Sequence, residues 1–167
     1  TQKISLEKNP LKGIHNLENI AAATAAVLMA GLSPNEIETA LPSFKGLQHR
    51  MELAGSLAGV DFINDSKATN VDSAWKSALS FDEEMVIILG GKDKGGDFSL
   101  LDPVLAKQAC GILLIGASKE KILSQLPLCR EKCQLVANFD EAVSAGHEIL
   151  KSKGGVLLLA PACASFD

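Results

Sequence analysis

Apolar residues gather in five short runs, at 60–63, 86–89, 112–115, 135–137 and 156–160, and the stretches between them change to a helical period. The runs are continuous rather than alternating, as strands are when both faces of a sheet are covered. Between them, near 70–80, 100–108, 119–126 and 141–152, apolar residues recur three and four apart, as in Val71, Ala74, Trp75, Ala78 and Leu79. A strand followed by a helix, repeated, predicts an α/β fold: a Rossmann-like, mostly parallel sheet flanked by helices. Residues 51–57, turning at Ala58-Gly59, predict one antiparallel strand before the first parallel one.

Upstream the pattern is different. An almost entirely small and apolar face containing Ile20, Ala23, Val27 and Leu28, stopped by Gly31, predicts a helix packed closely on both sides. Ser33-Pro34 has the chemistry of an N-cap and first helical position, so a second helix is expected from Pro34 to about Leu41, ended by Pro42. Proline, glycine and irregular patterning then place a domain boundary between Pro42 and Gly46, dividing the chain into 1–41 and 42–167. Both ends read as cuts, because the first residues look like the tail of something earlier and the last strand stops where a loop and closing helix are expected.

A hydrophobic share of 47% with 22% charged residues belongs to a folded protein with a sizeable core, which excludes disorder. The net charge of −4, scattered Lys and Arg, and only 4% aromatics with no Tyr argue against a nucleic-acid partner. The apolar runs fall far short of the ~20 residues a membrane helix needs. Cys110, Cys129, Cys133 and Cys163 show no Cys-x-x-Cys spacing. They read as reduced thiols of a cytoplasmic protein rather than zinc ligands.

The densest polar chemistry follows the run at 60–63, where Asn64, Asp65, Ser66, Lys67, Thr69 and Asn70 lie between a strand and a helix start capped by Thr69 or Asn70. Such a place in an open α/β sheet is where ligands bind, although a solvated loop has the same composition. After the next run, G-G-K-D-K-G-G offers glycines for close backbone approach and Lys92 and Lys94 for a carboxylate or phosphate, or else a flexible exposed loop. No Walker A or Gly-x-Gly-x-x-Gly pattern occurs. Ser165 lies five residues past the last run without a Gly-x-Ser-x-Gly elbow, so hydrogen bonding is its expected role. Loops after successive parallel strands open on one edge, so 64–70, 90–97 and 161–167 are expected to converge. His49-Arg50 offers a guanidinium for phosphate or carboxylate, or a surface ion pair. Asn16 and Asn19, one turn apart, read as ligand contacts or helix caps, and His147 as a surface residue.

The strings G-I-H-N-L-E-N, F-K-G-L-Q-H-R-M-E, I-N-D-S-K-A-T-N, L-G-G-K-D-K-G-G-D-F and L-A-P-A-C-A-S-F-D, in that order, resemble the Mur ligases. Within them they are most similar to the branch that adds D-glutamate to UDP-N-acetylmuramoyl-L-alanine. The resemblance implies a cytoplasmic, monomeric, ATP- and Mg-dependent amide ligase of peptidoglycan precursor synthesis, working through an acyl phosphate. It implies that 1–41 ends a central ATPase domain and that 42–167 is most of a C-terminal domain binding the incoming amino acid. The nucleotide-sugar domain, P-loop and magnesium ligands would lie outside this sequence, leaving the stretch by itself inactive. Carried over by motif, Asn16, Asn19, His49, Arg50 and Asp65 become nucleotide contacts and Lys67 a catalytic cation. Thr69, Lys94, Ser165 and Phe166 become holders of D-glutamate, with register favouring Lys94 over Lys92. Two other readings remain: another Mur-type or folylpolyglutamate-type amide ligase, and a non-catalytic small-ligand sensor on the same fold.

Overall fold

The computed structural model describes residues 3–6, 14–44 and 46–164. Among them six strands, β1 (Glu52–Leu57), β2 (Val60–Asn64), β3 (Met85–Gly90), β4 (Ala109–Ile115), β5 (Cys133–Leu135) and β6 (Gly155–Leu159), form one sheet. Its order is β1-β2-β6-β3-β4-β5, parallel throughout except for the β1–β2 pair. The continuous apolar runs are the inner strands: all six residues of β3 are buried, with Ile87 and Leu89 facing one side and Val86 and Ile88 the other. Burying one such side chain stabilises the fold by roughly 1.5–3 kcal/mol.

Helices α3 (Val71–Ala78), α4 (Asp102–Gln108) and α5 (Lys119–Ser124) supply Ala74, Leu105 and Ile122 to the first of these faces. Helix α6 (Phe139–Leu150) supplies Ala142 and Leu150 to the second. Right-handed crossovers require this arrangement. The chain steps from β2 to β3, β4 and β5 in one direction across the sheet and returns from β5 to β6 in the other, so its last helix must cross the opposite face. The β1–β2 hairpin turns through Ala58 (φ 51°) and Gly59 (φ 79°), the two left-handed residues of the turn that suits twisted antiparallel strands.

The chain divides into two compact units, Thr1–Leu47 and Gln48–Asp167, and the sheet belongs to the second. In the first, α2 (Pro34–Ala40) carries the expected N-cap as a full capping box, Ser33 and Glu36 bonding each other's backbone N–H. Helix α1 (Ile14–Met29) differs from the expectation of packing on both sides. Asn16 and Ile20 are buried, but Leu17, Leu28 and Met29 are exposed, Met29 to 90%. Strand β5 also differs, starting two residues before the apolar run at 135–137 and ending on its first residue, Leu135. Lys132 anchors its start by donating to the carbonyls of Ala106 and Ala109, and Asn138 already caps α6. His147 is not a plain surface residue: its ring stacks on Phe62 at 6.1 Å and its Nε2 is buried without a hydrogen-bond partner.

Cys129 is a buried reduced thiol, donating to Asp102 Oδ1 at 3.0 Å, while Asp102 also accepts the N–H groups of Leu128 and Cys129. Burial first, and the Asp102 carboxylate second, push this thiol well above its ordinary range. Below the unfolded thiol's pKa of about 8.5 both states hold the proton, and above it only the folded state does, so folding stability falls as pH rises past that value. Cys129 is therefore expected to resist alkylation at mildly alkaline pH until the fold opens. Mass spectrometry after iodoacetamide checks this, and labelling of Cys129 faster than global unfolding would refute it.

Candidate functional site at the carboxyl edge of the sheet

The register brings three strand ends side by side. Asn64 of β2 is level with Leu159 of β6, which is level with Ile88 of β3, two residues before Gly90. Each strand is followed by a loop bonded to its neighbour. Asp65 N–H donates to Leu159 O (2.9 Å), Ala162 N–H to Ala68 O (2.8 Å) and Gly90 N–H to Pro161 O (2.9 Å). Lys92 and Ala164 exchange two backbone bonds of 3.1 Å each. Of the expected convergence of 64–70, 90–97 and 161–167, the part that ends at Ala164 is thus built from main-chain hydrogen bonds. Ser165 and Phe166, expected on the same rim, lie outside the described residues.

The loop after β2 is a hydrogen-bonded turn, not a solvated coil. Asn64 accepts from Ser66 N–H, Asp65 O from Ala68 N–H, and Lys67 O from Thr69 N–H. Asn70, not Thr69, caps α3 by accepting from Ser73 N–H at 2.8 Å. Thr69 and Lys67 are left exposed on the rim. Asp65 is 1% exposed, and both its carboxylate oxygens are engaged, Oδ1 by Met51 N–H (3.2 Å) and Oδ2 by the Ser77 hydroxyl. Its carboxylate therefore organises the residues around it. His49 O accepts from Lys67 N–H (3.1 Å), and the His49 ring meets the Asn64 amide at 3.0 Å, so His49-Arg50-Met51 is tied to the loop after β2. His49 (φ 62°) and Met51 (φ 47°) both occupy the left-handed region, costly for such side chains and found mainly where a site requires it. They hold half-buried Arg50 between them.

The glycine-rich loop is also fixed rather than flexible. Ser118 donates to Gly91 O from its hydroxyl (2.6 Å) and its N–H (3.1 Å). Asp93 Oδ1 accepts from the N–H groups of Gly95 (2.9 Å) and Gly96 (2.8 Å), while Oδ2 pairs with Lys121 Nζ at 2.6 Å. Ser77, Ser118, Asp93 and Lys121 were not among the expected residues. Only Asp93 had a sequence signal, an Asp followed at the second and third positions by glycine, which favours an Asx-turn.

Charge separates on this edge. Among the described residues the side chains of Arg50, Lys67, Lys92 and Lys94 have no ion-pair or hydrogen-bond partner, whereas Asp65 and Asp93 are committed internally. An acidic chain thus presents uncommitted cations around loops about two strand spacings, or ~10 Å, apart, a reach suited to a small polyanion. Asn16 and Asn19 belong to the other unit; Asn16 is buried, and Asn19 is exposed beside an apolar cleft of about 390 Å³ between α1 and α2. Among the described residues no three acidic, His or Cys side chains gather to hold a metal, and no helix is long and apolar enough to cross a membrane.

Residues 49–163 match the family model of the Mur ligase glutamate ligase domain. The chain is 43% identical over 157 residues to a UDP-N-acetylmuramoylalanine–D-glutamate ligase of Geotalea daltonii, covering 94% of this chain and 34% of that protein. It is 42% identical to the enzyme of that name from Acidobacterium capsulatum, over 98% of this chain and 35% of the relative. The chain therefore spans about a third of the length of these curated relatives. Its fold is that of Thermotoga maritima UDP-N-acetylmuramate-alanine ligase, with a TM-score of 0.72 at 19% identity over 93% of this chain and 36% of that one. Mycobacterium tuberculosis folylpolyglutamate synthase is similar too, at 0.73 and 16%, over 92% and 39%. With its parallel sheet, converging loops and cationic rim lying inside the matched region, this chain belongs to the Mur ligase family.

Proposed function

We propose that this chain supplies the amino-acid-binding part of an ATP-dependent ligase that joins D-glutamate to UDP-N-acetylmuramoyl-L-alanine in peptidoglycan precursor synthesis. The observation that carries the reading is the set of uncommitted cations, Arg50, Lys67, Lys92 and Lys94, on loops bonded to one another at one sheet edge. The names of the relatives, at 38–43% identity, support D-glutamate as the amino acid. Residues 42–167 are the amino-acid-binding body and 1–41 the end of a central ATPase body, in a cytoplasmic monomer.

The chemistry suits such a rim. ATP converts the acceptor's carboxylate to an acyl phosphate; the amine of D-glutamate attacks it, and the tetrahedral intermediate collapses to amide and phosphate. Each stage gathers negative charge, so preorganised cations lower its energy more than any proton relay would. In this reading Thr69 and Lys94 hold the carboxylates of D-glutamate, joined by Ser165 and Phe166. Lys67 faces the reacting phosphate, and Arg50 and His49 the nucleotide, with Asp65 holding them in place. Asn16 and Asn19 are assigned to the nucleotide as well. Among the described residues no group of three His, Cys or acidic side chains is gathered to hold magnesium.

The test is phosphate release by the complete enzyme, which should require both ATP and D-glutamate with the nucleotide-linked acceptor present. Lys94→Ala removes one charge-assisted hydrogen bond, worth ~2 kcal/mol, and should raise KM for D-glutamate about 30-fold while leaving KM for ATP unchanged. Turnover with another amino acid in place of D-glutamate would favour a different amide ligase of this fold. No turnover with any amino acid would favour a sensor.

A further inference from the structure

The glycine-rich loop places a carboxylate, Asp93, between Lys92 and Lys94, the second of which the proposed function gives to D-glutamate. Left free, that carboxylate would pair with Lys92 or Lys94 and would repel an incoming dicarboxylic acid. It is not free. Lys121, which enters from α5 and is 28 residues away in sequence, reaches Asp93 Oδ2 at 2.6 Å, the Gly96 carbonyl at 3.0 Å and the face of Phe98 at 5.4 Å from its centroid. Asp93 Oδ1 meanwhile gathers the N–H groups of Gly95 and Gly96, so one side-chain pair closes the turn around Lys94 from both sides.

We propose that Lys121 and Asp93 form a positioning brace for D-glutamate binding. Lys121 cancels the carboxylate that lies between Lys92 and Lys94 and fixes the turn that presents Lys94. The inference rests on the functional reading above and adds to it residues that touch no substrate. Two features support it. The bond to Lys121, with those from Gly96 and Gly95, holds the Asp93 carboxyl below its usual range, so this carboxylate keeps its charge through neutral pH. The rest of the loop is anchored separately, by Ser118 at Gly91 and by Ala164 at Lys92, so loss of Lys121 frees the tip without unseating its base.

The experiment is steady-state kinetics on the complete ligase. Lys121→Met should raise KM for D-glutamate about tenfold, with kcat and KM for ATP within twofold of wild type. Lys121→Arg should restore most of the affinity. Asp93→Asn added to Lys121→Met should also recover it, because the amide oxygen still accepts from Gly95 and Gly96 and the unpaired charge is gone. A merely structural lysine would show a lowered Tm and parallel losses for both substrates, with no recovery in the double variant; that result overturns the brace, as does an unchanged KM for D-glutamate in Lys121→Met. Wild-type enzyme that ignores D-glutamate overturns the functional reading itself, and the brace with it. That failure is distinguishable, because it appears before any variant is made.

Discussion

Gly90→Ala is expected to leave no folded protein. A Cβ at this position would lie 1.8 Å from the carbonyl oxygen of Ile115 and 2.8 Å from its carbon. These are backbone atoms of the adjacent strand, so no side-chain rotation relieves the clash. The residue also has φ 136°, a conformation closed to L side chains. Relief requires β3 to move away from β4, breaking the Gly90–Ile115 register and the bond from Gly90 N–H to Pro161 O. Because β3 is buried along its whole length, the disturbance reaches both core layers. The cost should exceed the ~4–5 kcal/mol that marks exceptional substitutions, against a total stability of ~5–15 kcal/mol for an ordinary domain. Gly95→Ala is the control. It too has positive φ (87°) but nothing within 4 Å of the added carbon, so ~1–2 kcal/mol of backbone strain is expected there. Soluble yield and thermal unfolding of both variants check the contrast, and a near-native Tm for Gly90→Ala would refute it.

That glycine shows where reading the chain succeeds and where it stops. Continuous apolar runs announce strands covered on both faces, so β2, β3, β4 and β6 were legible within a few residues of their observed ends. The Ala58-Gly59 turn and the Ser33-Pro34 cap were legible because their backbone conformations demand those residue types. The rim was legible as a consequence of topology, since strand ends in a parallel sheet open on one edge. What required coordinates was direction and partnership. Asp65 looks like a ligand contact in a polar string, but its side chain turns inward to Ser77 and Met51. Lys121 looks like any lysine of a short surface helix, and nothing within ten residues points to Asp93. The position of β5 was misjudged by two residues because its two ends are set by a lysine bonding another element's carbonyls and by a helix cap, neither of which depends on hydrophobicity.

Asp65→Ala is expected to lower stability by ~2–4 kcal/mol and, in the ligase proposed above, to reduce kcat/KM by a hundredfold or more, through Arg50. Removing the carboxylate leaves the Met51 N–H and the Ser77 hydroxyl without this acceptor at a site that is 1% exposed. Ser77 keeps a second bond to Ser73 O at 2.8 Å, so the larger consequence falls on Met51. Its φ of 47° and the 62° of His49 are held against their intrinsic preference, and once Met51 loses its anchor the segment relaxes toward ordinary backbone, taking Arg50 with it. Two further variants separate this account from direct contact between Asp65 and nucleotide. Ser77→Ala leaves the Met51 bond intact and should cost ~1 kcal/mol of stability with little change in turnover. Asp65→Asn keeps an acceptor for Met51 N–H, so it should retain most of the ATP affinity that Asp65→Ala loses. If Asp65→Asn loses ATP affinity as severely as Asp65→Ala while its Tm stays near wild type, the carboxylate itself touches the nucleotide and the positioning account fails.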